Sequence, residues 1–155
     1  MNKLFRSIVI VPLILGLAAC GGGGVGSSGS LSTNSGSSAV TALQVTDNVV
    51  GTGAAAADGD TLAVNFTGWL YNGYAANFEG TEFQTTAGTP FSFVLGQGKV
   101  IAGWDQGLVG MKVGGTRTLI VPSSLAYGAT GNATIPPNAA LVFTVELVSV
   151  TPPQS

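Results

Sequence analysis

The side chains able to do chemistry in this 155-residue chain are few: no histidine, one cysteine, five lysines and arginines, and seven aspartates and glutamates. Without an imidazole there is no Ser-His-Asp or Cys-His nucleophile, no histidine general base and none of the commonest zinc sites. A lone cysteine makes neither an internal disulfide nor a thiolate cluster, so no metal or other cofactor is expected. The acids include two close pairs, Asp58 with Asp60 and Glu79 with Glu82. A glycosidase would need two carboxylates opposed across a cleft, one of them desolvated. Here Asp58-Gly59-Asp60 reads as a turn and the second pair falls in a long loop from Tyr71 to Glu82, so both read as solvated surface. Gly96-Gln97-Gly98 is too short for a phosphate loop, and no Gly-Lys-Ser/Thr follows it. A net charge of −2 offers no basic surface to nucleic acid.

The cysteine belongs to a different kind of chemistry. Met1 to Cys20 joins a short cationic start, Lys3 and Arg6, to the apolar run Ile8 to Leu17, and closes on small residues. This is the pattern of a secretory signal over residues 1–19, too short for an ordinary spanning helix of about 20 residues. Leu17-Ala18-Ala19-Cys20 resembles the bacterial lipobox, which implies that Cys20 is acylated and becomes the mature N-terminus; the alternative is a plain signal peptide with an incidental cysteine. Several acyl chains on one residue would hold the protein to a membrane stably. Past the signal, three basic and seven acidic residues leave a net charge of −4. Gly21 to Ser38, GGGGVGSSGSLSTNSGSS, contains almost nothing to bury and reads as a flexible tether. As a coil its 18 residues span roughly 23 Å. Residues 20–39 thus form anchor and tether, 40–151 the folded domain and 152–155 a tail.

Within 40–151 the dominant signal has a period of two. Leu62-Ala63-Val64-Asn65-Phe66-Thr67 places Leu62, Val64 and Phe66 on one face, and Phe91-Ser92-Phe93-Val94-Leu95 repeats the pattern. Thr116 to Val121 and Leu141 to Val150 read as central strands, and Thr41 to Val50 as a weaker one. Val100 to Met111 puts Ile101, Trp104 and Leu108 on one stripe of a short helix. Gly103, Gly107 and Gly110 each weaken that helix by about 1 kcal/mol relative to alanine, so packing against the sheet must hold it. The expected fold is α+β, a twisted antiparallel β-sheet wrapped around one short α-helix.

Four ordered motifs carry a family resemblance across Leu62 to Val150. They are Val100-Ile101-Ala102-Gly103-Trp104 with Gly107; Met111-Lys112-Val113-Gly114; Ala126-Tyr127-Gly128-Ala129; and Ile135-Pro136-Pro137-Asn138-Ala139 running into Leu141-Val142-Phe143. Their order and spacing resemble FKBP-type peptidyl-prolyl cis-trans isomerases, in a bacterial lipoprotein form. The resemblance implies rotation about X-Pro bonds, whose uncatalysed barrier is about 18–20 kcal/mol. No covalent chemistry is needed: the twisted amide is less dipolar than the planar one, and an apolar, water-poor pocket favours it. That suits a chain without histidine.

Carried over position by position, the resemblance makes Trp104 the floor of a proline pocket, with Phe66, Phe83, Phe91 and Phe143 as walls and Val100 and Ile101 along one side. The Ile101 N–H and the Tyr127 hydroxyl would donate to substrate carbonyls, and Ile135 would close the rim. An aromatic at strand spacing is usually core, so each Phe taken singly also reads as core. Trp104 and Tyr127 lie inside matched motifs, and each has a polar atom that must find a partner.

The chain departs from the family at the pocket's polar edge. Phe66 stands where a tyrosine is usual, Gln84 follows Phe83 where an aspartate is usual, and Thr85 to Thr89 has no counterpart of a frequent arginine. Losing all three members of one network is coherent, because removing one would strand the others. The resemblance therefore implies an isomerase of exported proteins, its turnover reduced by Phe66 and Gln84. The alternatives are a prolyl-peptide-binding chaperone with little or no turnover and a surface lipoprotein that displays its loops. Proline-containing polypeptides are the expected partners, with macrolides of the rapamycin type as inhibitors. Gly21 after Cys20 implies the outer membrane, facing the periplasm or the cell surface.

Overall fold

Apolar alternations from three strands meet on one face of a single sheet in the computed structural model, which describes residues 36–154. The elements are β1 (Gln44–Val49), β2 (Thr61–Tyr71), β3 (Glu79–Thr85), β4 (Phe91–Val94), α1 (Ala102–Gly107), β5 (Thr116–Val121) and β6 (Leu141–Thr151). The sheet order is β1-β5-β6-β2-β3, with β4 pairing the first half of β2 and β3 its second half; every pairing is antiparallel. This is the expected α+β architecture, with β5 and β6 inside the sheet.

Side-chain alternation divides the sheet into two faces. Leu62, Val64, Phe66 and Leu70 of β2, Leu119 and Val121 of β5, and Leu141, Phe143, Val145 and Leu147 of β6 are buried together in the main core. The helix lies against that face. Gly107 permits the approach, because a Cβ there would stand 2.8 Å from Leu119 Cδ2, and Gly103 is packed in the same way on Val121. The glycines that weaken the helix in isolation are thus what let it dock.

The helix is shorter than the 100–111 stripe suggested. Ile101 is its N-cap and Leu108 its C-cap. Gly110 adopts φ 75° and sends its N–H to Ala56 O at 2.8 Å, so the chain leaves the helix to bond elsewhere. Arg117, buried beneath the helix end, donates from Nη1 to Gly107 O at 2.7 Å and to Val109 O at 3.2 Å, while its Nε pairs with Asp47 Oδ1 at 2.6 Å. One side chain thereby satisfies terminal helix carbonyls and ties them to β1 and β5.

Two loop readings need correction. The segment between β2 and β3 spans only 72–78, and Glu79 and Glu82 are strand residues, paired with Tyr71 and Trp69. Phe78 stacks on Tyr71 (centroids 5.4 Å apart, planes at 8°), which closes that end of the sheet, whereas Tyr74 is 89% exposed. Asp60 is buried, unlike the solvated acid expected, because its Oδ2 accepts the Ala57 N–H at 2.9 Å across the turn. The globular unit also begins before residue 40: Ser37–Ala39 form a 3-10 turn, and Ser37 is buried. Val40 packs with Tyr71, Ile120, Ala140 and Val142 on the sheet's outer face. Cys20 and the signal and tether readings up to residue 35 lie outside the described residues.

Candidate functional site

Where the helix N-terminus meets β2, β4 and β6, the core opens to solvent in a hollow of about 160 Å³, lined by Phe66, Phe91, Lys99, Val100, Ile101, Trp104, Tyr127 and Phe143. Trp104 stands at its centre, 3% exposed. Phe66 meets its ring edge-on at 4.8 Å and 88°, Phe143 at 5.3 Å and 82°, and Phe93 packs behind it at 5.6 Å. Phe91 joins through Phe66 at 6.3 Å. Edge-to-face geometry lets each ring present its positive rim to a neighbour's negative face, which fixes the walls without closing the space between them.

Backbone devices position these rings. Phe66 and Phe143 point inward from β2 and β6 by register, and Trp104 is set by the N-cap, where its N–H donates to Ile101 O at 2.9 Å. The Thr86 hydroxyl accepts the Phe66 N–H at 3.0 Å, and Thr86 N–H returns to Phe66 O at 3.0 Å. Asp105 accepts the N–H groups of Gly96 and Gly98, both at 3.0 Å, which fastens the loop before Val100 to the first turn of α1. Sequence reasoning missed Thr86, Asp105, Phe93 and Lys99. Only the adjacency of Lys99 and Asp105 to the matched Val-Ile-Ala-Gly-Trp run could have marked them.

Of the expected site residues, the hollow collects Trp104, Ile101, Tyr127, Phe143, Phe66, Phe91 and Val100. Three lie outside its lining. Phe83 is the extra residue of a bulge between Gln84, opposite Gly68, and Glu82, opposite Trp69. A bulge re-aims its side chain, and the ring packs edge-on against Phe143 at 5.8 Å, behind the wall. Gly68 makes room for both rings, since a Cβ there would stand 2.8 Å from each. Gln84 is exposed on β3. Ile135 is drawn into the main core at 2% exposure by a turn in which Asn132 Oδ1 accepts the N–H groups of Thr134 and Ile135.

The Trp104 Nε1–H is buried and has no hydrogen-bond partner among the described residues. The Tyr127 phenol, 38% exposed, stands at the opening within reach of a bound ligand. A larger groove of about 400 Å³ crosses the outer sheet face between Thr67, Thr85, Thr116, Thr144 and Glu146. Its hydroxyls partly satisfy one another, as in the 3.1 Å Thr67–Thr85 bond, and it lacks the aromatic enclosure. The chemistry on offer is therefore that of the smaller hollow: enclosure of a compact apolar group with few donors and no general base.

This fold and site define an apolar-ligand pocket on a helix-crossed antiparallel sheet. Residues 53–148 match the family model of FKBP-type peptidyl-prolyl cis-trans isomerases, and the chain belongs to that family. It is 43% identical over 111 residues to the FK506-binding protein of Neisseria meningitidis, covering 70% of this chain and 95% of that one. With FK506-binding protein 4 of Neurospora crassa it shares 44% identity over 111 residues, 72% of this chain but only 22% of that longer protein. Among solved structures, FkpA from Escherichia coli matches with a TM-score of 0.62 and 43% identity over 72% of this chain and 49% of that one. AtFKBP13 matches with a TM-score of 0.60 and 36% identity over 69% and 91%.

Proposed function

We propose that this chain accelerates cis-trans rotation of X-Pro bonds in exported polypeptides, holding the proline ring in the hollow over Trp104. The observation that carries the reading is the lining itself: rings of Phe66, Phe91, Trp104 and Phe143 around a space of about 160 Å³, in a member of this family. Planar amide resonance places charge on oxygen and nitrogen, and twisting the bond by 90° localises the lone pair and reduces that dipole. A wall of rings excludes the water that solvates the planar form, so the barrier falls without proton transfer. The Ile101 N–H and the Tyr127 hydroxyl are the donors that would hold flanking carbonyls. A rapamycin-type macrolide would compete for the same rings.

The test is catalysed isomerisation of a short X-Pro peptide, with Trp104→Ala as the control: acceleration that the substitution abolishes supports the reading. A second reading is favoured by one observation. Phe66 in the lining and Gln84, exposed on β3 outside it, stand where the family resemblance leads to a tyrosine and an aspartate. A prolyl-peptide-binding module would then bind without turnover. Quenching of Trp104 fluorescence, read in a Trp69→Phe background because the chain has two tryptophans, separates the two.

The location we propose is the cell envelope, anchored through acylated Cys20 to the outer membrane on a tether that ends near Gly36. Incorporation of radiolabelled fatty acid, lost in Cys20→Ala together with membrane retention, is the result this location requires.

A further inference from the structure

One residue lining the hollow is neither apolar nor aromatic: Lys99. Its backbone is fixed there. Gly98, at φ 64°, turns the chain immediately before it, and the two 3.0 Å bonds from Gly96 and Gly98 to Asp105 pin that turn to the helix. The side chain beyond is exposed, and no described carboxylate pairs with it: the ion pair among the described residues is Arg117 with Asp47. The lining contains no acid, and the nearby acceptor Asp105 is engaged by two backbone N–H groups. Lys112, the other exposed cation, lies outside the lining beside its bridge partner Ala55. Among the residues that line the hollow, in a chain of net charge −2, Lys99 is thus the one with a formally charged side chain, and that charge is positive.

We propose that Lys99 is a specificity-determining residue: the site selects polypeptides that carry an aspartate or glutamate next to the proline and disfavours those with lysine or arginine there. The inference rests on the reading that the hollow holds the proline ring. Given that, the residue flanking the proline lies at the mouth, where an ammonium on a flexible four-carbon stem reaches a carboxylate without a fixed geometry. The apolar rings of the other walls offer no competing charge, so the exposed ammonium sets the sign of the field at the mouth, and salt screens it.

The test uses the intact chain with three peptides that differ only before the proline, Glu, Gln or Lys, and corrects each for its uncatalysed rate. An exposed pair of this kind is expected to raise kcat/KM for the Glu peptide over the Lys peptide by about 3- to 10-fold at low salt. The ratio should collapse between about 0.01 and 1 M salt, as the Debye length shrinks from about 30 to 3 Å. Lys99→Glu should invert it and Lys99→Gln should bring it to one, whereas Lys112→Glu, which changes net charge equally away from the lining, should keep it. Equal kcat/KM for the three peptides at low salt, or a ratio that Lys112→Glu moves as much as Lys99→Glu, overturns the inference while leaving the isomerase reading intact. If none of the peptides is turned over, the same comparison is made on their affinities by Trp104 quenching. Absence of both turnover and binding removes the isomerase reading and this inference with it.

Discussion

Trp104 joins the hollow to the core: its ring packs on Phe66, Phe93 and Phe143 and also lines the hollow. Replacing it affects both: Trp104→Ala should cost about 3–5 kcal/mol of stability, measured by urea unfolding, and should abolish turnover. Trp104→Phe keeps an apolar floor and separates the effects, retaining most of the stability while turnover falls. The polar edge makes a second prediction at this scale. Restoring Phe66→Tyr with Gln84→Asp should raise kcat/KM several-fold, and equal rates would show that the family's polar edge contributes nothing in this scaffold. Trp104, Tyr127 and Phe143 sit in motifs of fixed order and spacing, which is why the sequence alone could group them, and the structure sets all three along the hollow. Ile135 was misplaced, since a turn set by Asn132 decides whether its side chain meets the rim or the core. Thr86 was invisible, since a threonine in a loop has no periodicity to betray where it points, and Lys99 had only its adjacency to the matched Val100–Trp104 run to mark it.

Among the elements, α1 is held by what surrounds it rather than by its own sequence. Six residues with glycines at 103 and 107 are too few and too permissive for an autonomous helix. Arg117→Ala should therefore be costly: it strands the Gly107 and Val109 carbonyls and leaves Asp47 unpaired, with a loss of about 2–4 kcal/mol expected by denaturant titration. Gly107→Ala should push the helix off Leu119 and lower turnover as well as stability. The same arginine gives a pH dependence. Its hydrogen bond to Asp47, helped by its charge, holds that carboxyl below the usual 3.8 against the opposing effect of desolvation. A depressed folded-state pKa stabilises the fold above the unfolded value and loses that contribution as pH falls through the folded one. Stability should thus decline below about pH 4, and Asp47→Asn should flatten that part of the profile. Because Asp47 is 43% exposed, the effect is small. Period-two alternation made β2, β5 and β6 readable, whereas β3 was hidden in an expected loop because its sequence, Glu-Gly-Thr-Glu-Phe-Gln-Thr, carries a bulge that breaks the alternation. The helix end was overrun because nothing in the apolar stripe announces that Gly110 bonds to Ala56.

For the whole molecule, the described fold takes in Ser37 and Ser38, the last residues of the glycine- and serine-rich segment. Ser37 and Val40 cover part of the outer sheet face, so a chain starting at residue 41 should be less stable than one starting at 36 by about 1–2 kcal/mol. Thermal unfolding of the two chains side by side checks this. The ordered motifs marked the family across the chain, because each holds its place in the order and spacing that the family shares. The burial of Ser37 was not legible in the sequence because it is buried by position and not by character. The most direct test of the central claim is the rate of cis-to-trans isomerisation of an X-Pro peptide with and without the intact protein, alongside Trp104→Ala and Trp104→Phe. Acceleration by the native chain that both substitutions diminish is the predicted result. A native chain that leaves the rate at its uncatalysed value, or acceleration that survives removal of the indole undiminished, would contradict the account.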